Sequence, residues 1–254
     1  MNLMPKLAAR REAGKPVRVA LIGAGKFGSM VLSQVPHIEG LEVAAIADLD
    51  PDRARAACRN VGWDEARIAR TRFVDDGRAA AQADGVEVVL EATGHPAAGA
   101  RHALAAIEAG RHVVMVNVEA DVLVGPVLAR KAQAAGLVYS MAYGDQPALV
   151  SEMVDWARAA GFVVAAAGKG TKYLPAYHTV TPDDVWTHYG LTPEAAKAAG
   201  MNPQMFNSFL DGTKSAIEMA AIANACELDV PEAGLAFPPC GVDDLAHVLR
   251  PRTV

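Results

Sequence analysis

The sequence has few cysteines and no long apolar run, and both absences limit what the protein can be. Only three cysteines occur in 254 residues, and Cys58, Cys226 and Cys240 lie at none of the spacings typical of metal sites or redox motifs. The longest apolar stretches fall short of the roughly 20 residues of a membrane helix, and the basic start lacks the apolar core of a signal peptide. We therefore expect a reduced, cytoplasmic chain with no membrane partner.

The sequence also lacks an excess of positive charge. Its formal net charge is −5, and no run of lysine and arginine is long enough to form a basic stripe, so nucleic acid is not an expected partner. Hydrophobic residues make up 52% and aromatic residues 6% of the chain, which is typical of a soluble globular protein. The length predicts one large or two small domains.

Short β-rich runs alternate with longer helical runs from residue 17 to residue 139, a pattern typical of parallel sheets built from βαβ units. The sequence thus predicts a doubly wound parallel Rossmann sheet at 1–143, followed by a smaller α/β substrate domain at 144–254. The predicted strands are 17–22, 41–47, 72–74, 86–90, 112–116 and 137–139, and the predicted helices are 26–35, 51–59, 75–83, 96–109 and 121–135.

A glycine-rich turn lies between the first predicted strand and the helix that follows it. The residues from Gly23 to Gly28 fit the pattern G-x-G-x-x-G, which in this context is typical of dinucleotide binding. Gly23 would allow the tight turn, Gly25 the approach of a pyrophosphate, and Gly28 close packing of helix and strand. The predicted cofactor contacts here are Gly23, Gly25, Lys26, Phe27 and Gly28; the alternative is a glycine turn of another α/β protein.

Asp48 ends the second predicted strand, where a carboxylate would bind a ribose 2′-hydroxyl. This position favours NAD over NADP, because a 2′-phosphate would meet a negative charge. Arg53 and Arg55 follow closely and would bind that phosphate if Asp48 turned away. A further alternative is that the segment Asp48 to Pro51 only caps a helix.

The fourth and fifth predicted strands also end in polar residues, at the edge of the sheet where ligands bind in such folds. Thr93 and Gly94 follow the fourth strand and are predicted cofactor contacts. Asn117 and Glu119 follow the fifth, and we expect one of them to contact the nicotinamide or the substrate. His95 precedes a proline that starts a helix, so it is equally well explained as a cap.

The second part of the chain is predicted to contain a helix at 147–160, an apolar strand at 162–167, a polar segment at 168–207 and a helix at 211–224. Asp145 and Glu152 flank the start of the first helix. They are candidates for half of a divalent-metal site for Mg²⁺ or Mn²⁺. The alternative is that Asp145 only caps the helix.

Five charged residues are candidate catalytic groups. Lys169 and Lys172 follow the apolar run at 162–167, where a cation could stabilise or protonate a substrate oxygen. Lys214 and Glu218 lie one turn apart on a largely apolar helix, and Asp211 precedes it. Buried charges of this kind must be paired, and they gather where the tuning of a pKa is useful. The alternative is a surface ion pair between Lys214 and Glu218.

These segments together resemble the homoserine dehydrogenase-like oxidoreductases with a C-terminal SAF domain, a family that includes deoxyxylulose-phosphate reductoisomerase-like enzymes. The similarity runs through 23–28, Asp48, 144–147, the segment Gly168 to Tyr173, and 201–224. It implies a SAF domain after Val254, which we expect to be absent from this chain. Homoserine dehydrogenases have a lysine directly after the asparagine of the fifth strand, where this chain has Val118. The sugar-acid oxidoreductases have a Glu-Lys-Pro there, where this chain has Glu119, Ala120 and Asp121. Lys169, Lys172 or Lys214 would replace the missing lysine.

The sequence and the resemblance predict an NAD(P)-dependent oxidoreductase that transfers a hydride between nicotinamide and a small polar hydroxy or keto metabolite. We expect it to act as a homo-oligomer. One alternative is a reductoisomerase-like enzyme that uses NADPH and a divalent metal. Another is a dinucleotide-binding regulator without turnover.

Overall fold

The computed structural model describes residues 2–234 and 236–250. It divides into two compact units, Met1–Tyr143 and Gly144–Val254. The last four residues of the predicted second domain lie outside the described residues. Within the described part of the chain, no helix has both the length and the apolar character that a membrane crossing requires.

The first unit is built on a six-stranded sheet in which every neighbouring pair is parallel. The strands are β1 (Val17–Ile22), β2 (Leu41–Ala47), β3 (Arg72–Val74), β4 (Val88–Glu91), β5 (His112–Met115) and β6 (Tyr139–Met141). Their order is β3-β2-β1-β4-β5-β6, the order of a doubly wound dinucleotide-binding fold. The predicted fold class is therefore confirmed for this unit.

Helices cover both faces of this sheet, because its strands are apolar on both sides. The helices are α1 (Leu3–Glu12), α2 (Lys26–Gln34), α3 (Pro51–Asn60), α4 (Glu65–Arg70), α5 (Gly77–Ala81), α6 (Pro96–Glu108) and α7 (Val118–Ala134), with a short 3₁₀ helix at Val35–His37. Leu21 and Ile46 pack with α2, α3 and α4 on one face, and Ala20 and Val113 pack with α5, α6 and α7 on the other.

The second unit consists of helices and irregular segments. Its α-helices are α8 (Gln146–Ala159), α9 (Val185–Tyr189), α10 (Pro193–Ala198), α11 (Pro203–Leu210), α12 (Thr213–Cys226) and α13 (Leu245–Val248), with 3₁₀ helices at Pro175–Thr179 and Val242–Asp244. One apolar cluster joins α8 to α12 through Val154 and Ile222. A second is formed around Trp186 and Leu210.

The strand predicted at 162–167 is wrong. Among the described residues of the second unit no strand is present, so a strand here would leave its backbone N–H and C=O groups without partners. The apolar run instead supplies single side chains to the core. Val164 and Ala167 pack against the cluster of Val154 and Ile222, whereas Val163 is 95% exposed.

A buried carboxylate joins the last helix of the first unit to its edge strand. Asp121 on α7 is 4% exposed, and its Oδ1 accepts a hydrogen bond of 2.8 Å from the Tyr139 hydroxyl. Burial raises the pKa of Asp121 above its ordinary value, and the hydrogen bond from Tyr139 opposes that rise. Burial also raises the pKa of Tyr139, and the neighbouring Asp121 adds to the effect.

We predict that the stability of this chain relative to Asp121→Asn falls as the pH rises. Because the pKa of Asp121 is higher in the folded than in the unfolded state, the folded state binds more protons between the two values, and stability decreases with rising pH across that window. Below the pKa that Asp121 has in the unfolded chain, this loss of stability is absent, and above the pKa that it has in the folded chain, the loss is complete. Urea unfolding at a series of pH values measures the free energy of unfolding, with the exposed Asp75→Asn as the control for the loss of one charge. A stability difference that is independent of pH would contradict the assignment.

Candidate functional site

The turn between β1 and α2 is closely packed at two of its glycines and open at the third. Gly23 has φ +98°, and a Cβ there would lie 2.8 Å from the carbonyl oxygen of Ala92. A Cβ on Gly28 would lie 2.2 Å from the carbonyl oxygen of Gly23. A Cβ on Gly25 would have no neighbour within 4 Å. The turn therefore presents the backbone at Gly25 to the outside, at the start of α2.

The N-terminus of α2 differs from those of α3 to α7. Its N-cap is Gly25, no side chain caps it, and its first turn holds no acidic residue. Among the described residues, the first amides of α2 therefore have no side-chain cap, which makes this helix end suited to bind a phosphate. By contrast, each of α3 to α7 has an N-cap side chain that accepts a hydrogen bond from a backbone amide; these residues are Asp50, Asp64, Asp76, His95 and Asn117.

Asp48 stabilises the glycine turn through a buried hydrogen bond. It is 7% exposed, and its Oδ2 accepts a hydrogen bond of 3.0 Å from the amide of Ala24. Its Oδ1 accepts one from the amide of Asp50 at 3.2 Å and one from Arg53 Nη2 at 2.5 Å. The carboxylate that the sequence predicts as a ribose ligand is thus engaged inside the protein.

Arg53 is the exposed partner in this ion pair. Its side chain is 64% exposed, so Asp48 anchors a guanidinium at the carboxyl end of β2 while most of it stays in solvent. Arg55, the other candidate for a phosphate contact, pairs with Asp52 at 2.8 Å and stacks on the ring of Phe73 at 4.7 Å. The structure therefore presents Arg53 rather than Asp48 to a ligand at this strand end.

A buried polar network lies at the carboxyl ends of β4 and β5. Glu91 is fully buried, and its Oε1 accepts a hydrogen bond of 2.7 Å from the Thr93 hydroxyl and lies 3.1 Å from His102 Nδ1. Its Oε2 has no hydrogen-bond partner among the described residues. A Cβ on Gly99 would lie 3.1 Å from that oxygen, so α6 packs closely over the carboxylate.

Asn117 links this network to α7. Its Nδ2 donates to the Thr93 hydroxyl at 3.3 Å and to the carbonyl oxygen of His95 at 3.1 Å, and its Oδ1 caps α7 through the amide of Ala120. At 2% exposed, Asn117 holds the loop that carries Thr93 and Gly94, and it is not itself on the surface.

Of the predicted cofactor contacts on these loops, Thr93 and Gly94 are exposed and Glu119 is half-buried in the first turn of α7. Lys26 is exposed and Phe27 half-buried on the first turn of α2. The network that fixes the loops involves two residues, Glu91 and His102, that the sequence did not single out as site residues. The available signal was a charged residue at the end of the apolar run of β4.

In the second unit, one buried carboxylate contacts two lysines. Glu218 on α12 is 3% exposed. Its Oε2 accepts a close contact from Lys169 Nζ, and its Oε1 lies 3.9 Å from Lys214 Nζ. The side chains of Lys169 and Lys214 are 16% and 25% exposed, so the two lysines and the carboxylate form a largely buried cluster. We call this the lysine cluster.

Two other candidates occupy different positions. Asp211 accepts hydrogen bonds from the amide and the hydroxyl of Thr213, at 2.9 and 2.7 Å, and from Asn207 Nδ2 at 2.9 Å. It thereby shapes the turn at Gly212, which has φ +86°, and α12 begins at Thr213, two residues after the predicted start. Lys172 is exposed, and the structure does not bring it into the lysine cluster.

The predicted metal pair has a different arrangement. Asp145 is the N-cap of α8, and its Oδ1 accepts a hydrogen bond from the amide of Gln146 at 3.0 Å. This is the helix cap that the sequence offers as the alternative to a metal ligand. Glu152 is exposed on the same helix. In the part of the chain that the structure describes, no group of three or more histidine, cysteine or acidic residues could hold a metal ion.

Two family models match separate parts of the chain. The model described as "Oxidoreductase family, NAD-binding Rossmann fold" matches residues 17–115, and the model described as "Oxidoreductase DRL, catalytic domain" matches residues 144–254. A search of curated proteins found no match.

Three solved structures illustrate the similarity of fold. A homoserine dehydrogenase from Thiobacillus denitrificans shares 19% identity over 57% of this chain and 34% of its own, with a TM-score of 0.46. The myo-inositol dehydrogenase from Lactobacillus casei, solved with NAD(H) and myo-inositol, shares 20% identity over 56% of this chain and 42% of its own, with a TM-score of 0.44. A 3-ketoreductase from Actinomadura kijaniata, solved with NADP and TDP-benzene, shares 23% identity over 56% of this chain and 43% of its own, with a TM-score of 0.43. The chain thus spans between about a third and somewhat more than two fifths of the length of these three structures.

Proposed function

We propose that this chain is an oxidoreductase that binds a nicotinamide dinucleotide at the glycine turn and acts on a small polar hydroxy or keto compound. One observation carries the proposal. The N-terminus of α2 has no side-chain cap and no acidic residue in its first turn, and Gly25 there faces open space. A pyrophosphate would be bound at this point by backbone amides. The match of residues 17–115 to an NAD-binding family model supports it.

The residues present fit such a cofactor. The amides at the start of α2 would bind the pyrophosphate, and the exposed Thr93 and Gly94 would contact the part of the dinucleotide that lies over β4. The nicotinamide, when bound, would supply or accept a hydride. Asp48, Glu91 and Asn117 would not contact it directly; they hold the backbone segments that do.

Arg53 favours NADP as the cofactor, in contrast to the preference for NAD that Asp48 alone predicts. Its mostly exposed guanidinium is anchored to Asp48 at 2.5 Å, and an anchored arginine is suited to a phosphate because its donors are already oriented. A ribose hydroxyl would have to compete with three existing hydrogen bonds for the oxygens of Asp48.

We predict that Arg53→Gln weakens NADPH binding about tenfold or more, the effect of losing a charge-assisted hydrogen bond, and leaves NADH binding almost unchanged. Gly25→Val should abolish binding of both without unfolding the chain. Fluorescence titration with each dinucleotide measures this, with the exposed Arg70→Gln as the matched control. If the unaltered chain binds NADH more tightly than NADPH, this result would contradict the preference for NADP and would favour Asp48 as the residue that contacts the ribose.

For the chemistry, we propose that the lysine cluster stabilises or protonates the substrate oxygen. Glu218 contacts both lysines, and Lys214 has the more exposed side chain of the two. We therefore assign Lys214 as the group that contacts the substrate, and Lys169 as a positioning residue that offsets the buried charge of Glu218. Asp211 supports this arrangement by shaping the turn that precedes α12.

We predict that Lys214→Met lowers kcat about 10²- to 10⁴-fold, the usual range for loss of a general acid, whereas Lys169→Met, which leaves the proposed acid in place, lowers kcat less. The assay follows oxidation of NADPH or NADH with a panel of small keto acids and keto sugars. Lys197→Met, an exposed lysine on α10, is the control. Equal activity in Lys214→Met and Lys197→Met would remove Lys214 from the mechanism.

The match of residues 144–254 to the catalytic-domain model of oxidoreductase DRL supports a second candidate, the reductive isomerisation of deoxyxylulose phosphate. This reaction would require a divalent metal, and the residues proposed from the sequence do not fit one: Asp145 caps α8, and among the described residues no group of three or more histidine, cysteine or acidic residues could hold a metal ion. Turnover of that substrate that persists when a chelator removes divalent cations would exclude the metal-dependent reading.

A further inference from the structure

The first unit contains a cavity at the edge of the sheet opposite to the glycine turn. Its volume is about 490 Å³ and it is lined by Arg10, Gly14, Lys15, Pro16, Arg18, Glu42, Gly85 and Glu87. Arg18 lies near the start of β1 and Gly23 follows its end, so the two regions are separated by about 15–20 Å, the length of that strand. The proposed function uses none of these residues.

The charges around this cavity leave an excess of cations. Arg10 Nη2 forms an ion pair with Glu87 Oε1 at 2.5 Å, and Arg10 Nε and Nη2 also donate to the carbonyl oxygens of Lys15 and Pro16. Arg10 is therefore already bonded to three residues that line the cavity. Of the other lining charges, Lys15 and Arg18 are positive and Glu42 is negative, which leaves one net positive charge in a chain whose formal charge is −5.

Arg18 has one unpaired side-chain donor at this cavity. Its backbone amide donates to Glu87 Oε1 at 3.4 Å, and its Nε is buried and has no hydrogen-bond partner among the described residues. A buried donor without an acceptor is costly, and such groups in native proteins usually have a ligand or water partner.

The wall opposite Arg18 is shaped to hold its guanidinium. A Cβ on Gly85 would lie 2.4 Å from Arg18 Nη1 and 3.2 Å from Arg18 Cζ. Gly85 has φ +73°, and the absence of a side chain there lets its backbone approach the head group closely. The guanidinium of Arg18 therefore packs against the backbone at Gly85.

We propose that this cavity is a second binding site, for a small metabolite that carries a carboxylate or phosphate group, and that Arg18 is its principal contact. A guanidinium donates charge-assisted hydrogen bonds to the oxygens of such a group, and Lys15 adds a second positive charge at the opening. The volume lies within the range of ligand sites, about 300–1,000 Å³, and therefore accommodates a small organic anion as well as an inorganic one.

The test is calorimetric titration of the full chain with two probes, inorganic phosphate and malonate, at an ionic strength kept constant with chloride. We expect Arg18→Gln to weaken binding at least about tenfold, and the exposed Lys6→Gln on α1, outside the cavity, to leave it unchanged. The probe whose affinity Arg18→Gln lowers more is the oxyanion that depends more on this site. Absence of binding by both probes overturns the proposal.

Phosphate bound at the glycine turn is the main competing result, and Gly25→Val separates the two sites. Binding that survives in Gly25→Val and is lost in Arg18→Gln supports the proposal. Binding that is lost in Gly25→Val and survives in Arg18→Gln overturns it, and this outcome is independent of whether the chain uses a dinucleotide. If Arg18→Gln does not fold, Lys15→Gln at the exposed rim takes its place, with a loss of several-fold expected; unchanged binding then overturns the proposal.

Discussion

The close contact of Gly23 and Gly28 at the end of β1 is the constraint on which the candidate cofactor site depends. A Cβ at Gly28 would approach the carbonyl oxygen of Gly23 to 2.2 Å, so α2 can begin where it does only because both residues are glycines. That approach places the uncapped start of α2 over the carboxyl edge of the sheet. Asp48 fixes the turn from the neighbouring strand through the amide of Ala24 at 3.0 Å. The amides that would bind a phosphate are thus positioned by backbone packing and one buried carboxylate.

Buried carboxylates in the described part of the chain contact polar side chains on other segments. Asp48 contacts Arg53, and Glu91 contacts Thr93 and His102. Glu218 contacts Lys169 and Lys214 in the second unit. Because a buried polar or charged group without a partner is unfavourable, each carboxylate favours one position of the groups that it contacts. Two of these groups, Thr93 and Lys169, lie outside the helices and strands.

The strands and the glycine turn were predictable from the sequence because they depend on local patterns. Short apolar runs separated by helices define the sheet, and the spacing of three glycines defines the turn. The irregular path of 162–167 was not predictable, since the run is apolar enough for a strand and only the lack of a neighbouring strand prevents one. The internal role of Asp48 and the part of Glu91 and His102 also escaped prediction, because they depend on contacts between residues far apart in the chain. For Lys214 and Glu218 the helical spacing was visible, but the contact of Glu218 with Lys169 joins residues 49 positions apart.

The central claim is that a dinucleotide binds at the glycine turn, and the most direct measurement is to map its binding onto backbone amides by NMR. Addition of NADPH to the isotope-labelled chain should shift the amide resonances of Ala24, Gly25 and Lys26 most strongly, followed by those of Thr93 and Gly94. Resonances of Lys15 and Arg18 at the opposite edge of the sheet should change little. Shifts confined to that opposite edge, or no shifts at saturating NADPH and NADH, would contradict the account.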